Sequence, residues 1–367
     1  MVPKMARYRG GYNVLMDGKP SADLVELPSA DVLHLPLFSS RFSFSVVRVK
    51  DGDQVGQGQV LAEDADNYSV PLLAPGAGTV KLDEEGRHVT IENVKIARPE
   101  AGSGSYHTRE EPTAALLRLG AWQFFSDACT GKLPDPAGKP KAVIISALHL
   151  DPFVVRGDVQ LQGRVSEFAR GLELLHSSAG DQPVYLIIPS IRSDLAGQVR
   201  GLADKYSWLT LVEVKLKYPF GNLQLAAQNL GFDRLHGKDM VWGLGVEGVM
   251  AVDGALTSSR SCASRTISIG GPGAKNPAHA IIPVGYPLTM IAESCSAGTP
   301  VRMVNGGALA GRSVPADQQG LDSECLGITL IPENTEREVL AFAHLGFGKH
   351  AFTNTFFSVL RGRFRER

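Results

Sequence analysis

The sequence predicts an α/β protein built from several domains. Three observations carry that prediction. The chain has 367 residues, more than the roughly 100–200 residues of one ordinary domain. Its hydrophobic texture changes twice, from glycine-punctuated alternation, to β-branched runs between helical stretches, to a strand–turn–strand–helix pattern. A polar, glycine- and serine-bearing stretch, "ARPEAGSGSYHTREEP" at 97–112, separates the first texture from the second and reads as a linker or exposed loop.

Composition narrows the function classes. Hydrophobic residues at 43% and charged residues at 20% describe an ordinary soluble chain, and a formal net charge of -1 argues against a general electrostatic grip on nucleic acid. The N-terminus, "MVPKMARYRGGYNVLMDGKPS", lacks an apolar signal core, and no stretch reaches the roughly 18 apolar residues of a membrane span. A cytoplasmic protein without its own anchor is expected. Cys129, Cys262, Cys295 and Cys325 form no C-x-x-C pair, and the nearest histidines, His344 and His350, lie in the glycine-rich "HLGFGKH". Neither set has the spacing of a zinc or iron–sulfur site, so buried thiols are expected. No G-x-S-x-G elbow or Walker-type loop is present.

The first module, expected over residues 1–105, centres on "VKDGDQVGQGQVLAEDADNYSVPLLAPGAGTV" at 49–80. Valines alternate with Gly52, Gly56 and Gly58, which gives short strands joined by glycine turns. The two halves, "GDQVGQGQVLAE" and "LLAPGAGTV", resemble the outgoing and returning halves of a biotinyl/lipoyl-type barrel-sandwich module. In such a carrier a modified lysine sits between them. Here the corresponding residue is Asn67 in "DADNYSV", and an amide is not acylated as an amine is; Lys50 and Lys81 lie outside the hairpin. The module therefore reads as a carrier fold without cargo.

Residues 106–262 are expected to form the second domain. "TAALLRLGAWQFF" places Leu116, Leu117, Leu119 and Trp122 on or near one helical face, and the prolines of "GKLPDPAGKP" stop it. "KAVIISAL", "PVYLIIP" and "WLTLVEVKL" are strands by their β-branched runs; "VSEFARGLELLHSSAG" and "SDLAGQVRGLADKY" are the helices between them. The alternation gives a small Rossmann-like unit with a parallel sheet. "FGNLQLAAQNLGF" and "VEGVMAVDGAL" add helices near its end. "WGLGVEG" at 242–248 contains a formal G-x-G-x-x-G, but late in the unit and with no ribose-binding acid on a following strand, so it reads as a turn into a helix.

From residue 263 to 335 the order strand, glycine–proline turn, strand, helix begun by Pro287, then strand and turn in "PVRMVNGGALAGRS" is a β-grasp arrangement. Gly270, Gly271 and Gly273 of "GGPG" are the candidate ligand turn, since consecutive amides there form an anion nest unless the turn is a plain hairpin. Residues 336–367 end in "AFTNTFFSVLRGRFRER". Phe352, Phe356 and Phe357 fall at helical spacing ahead of Arg361 and Arg363, the candidate partner-docking segment of an otherwise solvated tail.

Three modules in this order resemble the NqrA family, one of the component chains of the Na+-translocating NADH:quinone reductase (Nqr), and more distantly the RnfC chains of the related Rnf complex. "GGYNVLMDGKP", "LLRLGAWQFF", "AVIISALHLDPFV", "VWGLGVEGVMAVDGAL", "RTISIGGPGAKNP", "VRMVNGGALAG" and "GFGKHAFTNTFFS" carry the likeness. The two C-x-x-C-x-x-C cluster motifs of the Rnf chains are missing, which favours the Nqr resemblance. Both families resemble the flavin-binding chain of respiratory complex I, yet "GAWQFFSDACTGKLPDP" and "SALHLDPF" supply neither its glycine-rich flavin loop nor its paired acids. An arginine-rich "R-T-R-P-F" segment usual in the family is replaced by "FFSDACTGKLPDP", and family chains continue past the equivalent of residue 367, so the match is to a form shortened at the C-terminus.

The resemblance implies a peripheral cytoplasmic subunit held on the inner membrane by partner subunits. It implies no cofactor in this chain, with FMN, FAD, riboflavin and Fe–S centres in the partners, NADH and ubiquinone as the complex's substrates, and Na+ as the ion translocated. The chain would brace redox subunits or shape quinone access. The alternative is a shortened paralog that binds quinone or another small molecule. No side chain has the spacing and context of a general acid, base or nucleophile, and a free-standing NADH oxidoreductase resting on "WGLGVEG" is the weakest of the three readings.

Overall fold

In the computed structural model residues 4–5, 8, 10–97, 110–191, 194–232, 239–298 and 300–333 are described. The expected boundary near residue 105 and the docking segment with Phe352, Phe356, Phe357, Arg361 and Arg363 lie outside them.

The N-terminal strand β1 (Lys4–Met5) leaves for the second domain's sheet, and the barrel-sandwich follows in β2 (Val32–Pro36), β3 (Val46–Val47), β4 (Gln54–Val55), β5 (Val60–Asp64), β6 (Val70–Leu73), β7 (Ala77–Leu82) and β8 (His88–Lys95). Two sheets, ordered β2-β8-β7-β4 and β3-β5-β6, enclose one core. The pairing puts Leu33 opposite Ile91 and Leu35 opposite Val89, all buried completely. Leu33 and Leu35, like Val89 and Ile91, stand two residues apart on their strands and so share one packed face. The β5–β6 hairpin carries Asn67 at its tip, where Tyr68 and Ser69 adopt left-handed backbone.

The middle of the chain runs α1 (Pro112–Arg118), a 3₁₀ turn (Ala121–Phe124), β9 (Ser126–Asp127), β10 (Ala142–Ser146), α2 (Gly157–Leu161), α3 (Val165–Ser178), β11 (Val184–Pro189), α4 (Asp194–Lys205), β12 (Leu209–Val214), α5 (Leu223–Leu230), β13 (Val241–Gly245) and α6 (Val246–Ser258). Strands β12-β11-β10-β13 are mutually parallel in that order, with β1 added parallel at one edge and β9 antiparallel at the other. This is half of a doubly wound sheet, and its strand order reverses at β10. One helix of the sequence reading is split. "TAALLRLGAWQFF" breaks at Gly120, whose φ of 76° ends α1 and starts the 3₁₀ turn. The break aims Trp122 and Phe125 into the core, where they stack at 4.3 Å and meet Trp242 edge-on.

The third unit is β14 (Ser264–Gly270), β15 (Ala278–Pro283), α7 (Leu288–Cys295), β16 (Val301–Asn305), β17 (Arg312–Ser313) and β18 (Gly327–Pro332), in sheet order β15-β14-β18-β16-β17. An antiparallel β14–β15 hairpin, a crossing helix, and a final strand lying parallel to β14 make the β-grasp pattern. Ile267, Ile269, Ile282, Leu288 and Ile291 form its own core.

Backbone N–H donors join the barrel to the β-grasp. His34 N–H of the barrel donates to Gly285 O at 2.7 Å, and Gln319 N–H of the β-grasp donates to His88 Nε2 at 3.2 Å. Gly320 lies so close that a Cβ there would stand 1.8 Å from His34 O and 2.8 Å from Gly285 O. A strap of residues 12–25 crosses from Tyr218, paired with Tyr12, to β15, where Val25 N–H donates to His279 O.

Gly320→Ala is therefore expected to destabilise by about 3 kcal/mol or more through a backbone clash that cannot relax. Gly197→Ala, in α4 with nothing within 4 Å of the added carbon, is expected to gain about 0.5–1 kcal/mol. Urea midpoints of the two variants, compared with the parent chain, check the contrast.

Candidate functional site

The parallel sheet sets the place. Backbone dipoles and loop amides converge beyond the carboxyl ends of the strands, and the reversal of order at β10 leaves a crevice there. Ser146 closes β10, with its hydroxyl 2.9 Å from Leu148 O and 2.8 Å from Gly221 O, which ties the loop after β10 to the loop before α5. Above the crevice the β16–β17 hairpin of the β-grasp comes down. Its amides at Leu309 and Ala310 donate to the two carboxylate oxygens of Asp151, each at 3.0 Å. Val155 N–H donates to Leu326 O at 3.0 Å and Ala308 N–H to Pro152 O at 3.1 Å, which completes the seam.

Two cavities result, of about 530 Å³ and about 300 Å³, sharing His149, Gly221 and Asn222. Leu148, Leu150, Val154 and Leu326 give the larger one apolar wall, and Asp151, Asp322, Glu324 and Arg312 give it polar wall. The smaller opens at Leu244 and Gly245, where β13 passes directly into α6.

Arg41 stands where all three units meet. Its guanidinium donates to Phe125 O at 2.6 Å and Gln123 O at 3.3 Å and lies 3.6 Å from the Glu324 carboxylate. Glu324 also accepts from Ser39 Oγ at 2.5 Å and from Arg41 N–H at 2.9 Å. The carrier-like tip is fastened to the same place. Asp64, wholly buried, accepts from Ser43 N–H and from Asn67 Nδ2, each at 2.8 Å, while Asn67 Nδ2 is also 3.3 Å from Arg41 O. The amide at the carrier position is thus a local staple.

Electrostatics inside the crevice favour neutral histidine and disfavour ionised Asp322. Burial pushes the His149 imidazole down to about 4. Burial, with the Glu324 carboxylate beside it, pushes the Asp322 carboxyl up to about 6 despite hydrogen bonds from Glu324 N–H and Asn305. Burial raises Asp151 as well, against its two backbone donors.

A nucleotide or flavin is what this fold position most often holds, and the residues present do not fit one. The formal G-x-G-x-x-G does sit on a strand-to-helix junction, but His149 covers it: a Cβ at Gly245 would be 3.4 Å from His149 Nε2. A phosphate would also face the carboxylates of Asp151, Asp322 and Glu324. Among the described residues no group of three metal-ligating side chains is gathered.

The candidate ligand turn lies elsewhere. Gly271 N–H donates to Gly18 O and Gly273 N–H to Leu330 O, both at 2.8 Å, and Gly270 ends β14 within the sheet. These amides hold the strap and β18. Sequence reasoning missed Arg41, His149, Asp151, Arg312, Asp322 and Glu324. His149 and Asp151 had a local signal, since "HLD" follows directly on the first buried strand of the α/β unit. The other four are brought in from units far apart in the chain.

The family model described as the NqrA N-terminal barrel-sandwich hybrid domain matches residues 7–98, and that of the NqrA second alpha/beta domain matches residues 107–259. The NqrA chain of the Na(+)-translocating NADH-quinone reductase from Actinobacillus pleuropneumoniae serotype 5b is 26% identical over 322 residues, 84% of this chain and 70% of that one. The protein of the same name from Pseudomonas aeruginosa PAO1 is 25% identical over 369 residues, 98% of this chain and 80% of that one. Among solved structures, an NAD+-reducing [NiFe]-hydrogenase in the air-oxidised state overlaps 62% of this chain and 48% of its own at 16% identity and a TM-score of 0.48, too loose to speak to chemistry.

The two crevice groups give opposite pH dependences. Asp322, raised from 3.8 to about 6, contributes stability that is full below pH 4 and lost as pH rises through 6. His149, lowered from 6.5 to about 4, contributes stability that is full above pH 6.5 and lost as pH falls through 4. Asp322→Asn removes only the first. Relative to the parent, it is expected to gain on the order of 2 kcal/mol between pH 4 and pH 7. Denaturation midpoints across that range check it, and a flat difference contradicts it.

Proposed function

We propose, from the premise that the chain belongs to the NqrA family, that it is a peripheral subunit of a Na+-translocating NADH:quinone reductase and that it braces redox subunits without carrying electrons itself. The junction at Arg41 supports this reading most directly. A hairpin tip that in a carrier swings is here fastened by Asp64 and Asn67, and the crevice that in a dinucleotide enzyme is open is covered by the β-grasp hairpin. Both changes exchange motion for rigidity. In this reading FMN, FAD, riboflavin and the Fe–S centre belong to partner subunits. The chain is held at the cytoplasmic face of the inner membrane through those partners, with Phe352, Phe356, Phe357, Arg361 and Arg363 as its docking segment. Among the described residues no helix is long and apolar enough to cross a membrane.

The cavity of about 530 Å³ favours a second reading. It falls within the range of small-molecule pockets, so the chain in this reading binds a quinone or another small molecule in the crevice.

The test of the first reading is capture of the tagged chain from detergent-solubilised native membranes, followed by mass spectrometry. Flavin-bearing membrane subunits in stoichiometric amount are expected. Arg41→Ala, which leaves Glu324 without its guanidinium, is expected to lower stability by about 2–4 kcal/mol and to reduce that recovery. A chain recovered alone contradicts the brace and leaves the crevice reading.

A further inference from the structure

We propose that the tip of the β5–β6 hairpin is a docking point for a neighbouring protein subunit, with the Tyr68 ring entering an apolar recess of that subunit and Asp66 meeting a basic side chain at its rim. The inference rests on the subunit reading above and names where a partner is held and by what chemistry.

The tip is strained beyond what its own fold requires. Residues 65–69 make two successive turns, closed by Asn67 N–H to Asp64 O at 3.2 Å and by Val70 N–H to Asn67 O at 3.1 Å. In the second turn the central residues, Tyr68 and Ser69, have φ of 56° and 54°, the left-handed signs of a type I′ turn. Asn-Gly takes that geometry with little strain, whereas a bulky aromatic takes it only under constraint. Tyr68 gains little inside the chain in return. It is 44% exposed, and among the described residues neither a hydrogen bond of its hydroxyl nor an aromatic neighbour holds it. Strain of this kind gathers where a side chain is presented to something outside its own fold.

The surroundings have the makeup of an interface centre. Phe38, 57% exposed, pairs with Ser43, whose N–H donates to Asp64 at the base of the turn, so a second exposed aromatic stands at the same corner. Aromatic anchors dominate the energetics of protein interfaces. Because Asp64 fastens the tip through Ser43 N–H and Asn67 Nδ2, the ring is presented with little left to order on association. Asp66 is exposed on the same tip, with no ion pair among the described residues, and it sets the sign of the partner. A second copy docked tip to tip brings Asp66 against Asp66, and an anionic lipid surface repels it. A protein recess with a basic rim complements it.

The experiment places a photoreactive side chain at the tip, Tyr68→p-benzoylphenylalanine, in the tagged full chain in its native host. Membranes are irradiated, and the captured material is read by mass spectrometry. A covalent adduct between residue 68 and one other subunit of the reductase is expected. Tyr68→Asn, which suits left-handed backbone, is expected to lower recovery of that subunit at least about tenfold without lowering the chain's urea midpoint. Ser69→Gly, which relieves the neighbouring strain and keeps the ring, is expected to raise the midpoint and leave recovery at the parent's level. An adduct to a second copy or to lipid, or no adduct where the parent chain captures reductase subunits, overturns the docking point and leaves the subunit reading standing. A parent chain recovered alone overturns both. Recovery unchanged in Tyr68→Asn, or reduced only together with a lowered urea midpoint, also overturns the proposal.

Discussion

The guanidinium of Arg41 reaches two backbone carbonyls of the Rossmann-like unit and a carboxylate of the β-grasp from a loop of the barrel. Much else depends on that placement. Carbonyls at Gln123 and Phe125 are free to accept because Gly120 ends α1 early and turns the chain into a 3₁₀ segment. Glu324 is in reach because β18 begins just beyond it and runs parallel to β14. The Arg41 carbonyl is in turn near Asn67, so the carrier-like hairpin tip is fixed to the same loop. Charge-assisted hydrogen bonds of this kind are strong where solvent is thinned and costly to leave half made.

The crevice follows from the same arrangement. A half of a doubly wound sheet has a reversal of strand order, and whatever lies above the reversal determines what the domain does. Here the β16–β17 hairpin is above it, held by Asp151, and His149 lies over the glycine that a phosphate would approach. Fold alone says little about function. The lining side chains say more: three carboxylates, Arg312 and His149 beside an aliphatic wall.

The sheets were legible because their signals are local. The valines alternating with Gly52, Gly56 and Gly58 read as short strands, and the buried run Ala142–Ser146 reads as a central parallel strand without further information. Asn67 was legible as the carrier position because two flanking half-motifs fix its register. The break at Gly120 was missed because the helical spacing of Leu116, Leu119 and Trp122 continues across it, and tertiary packing of Trp122 against Trp242 outweighs that period. The polar wall of the crevice was not legible. Arg312 on β17 and Asp322 and Glu324 on the loop before β18 belong to one unit while Asp151 belongs to another, and no spacing rule links residues that only docking brings together. The GGPG amides were legible as a turn, and only the strap at Gly18 and the strand at Leu330 show where they are directed.

Three units behave as one body because, beyond their pairwise seams, Arg41 ties all of them together at one polar junction. Hydrogen–deuterium exchange read by mass spectrometry tests this most directly, since amides that open together report one free energy. Peptides covering residues 39–44, 64–70, 122–126 and 319–326 are expected to exchange with one common opening energy close to that of global unfolding. Fast, independent exchange of 64–70 while 122–126 and 319–326 stay protected would mean that the hairpin tip swings free, and would contradict the account.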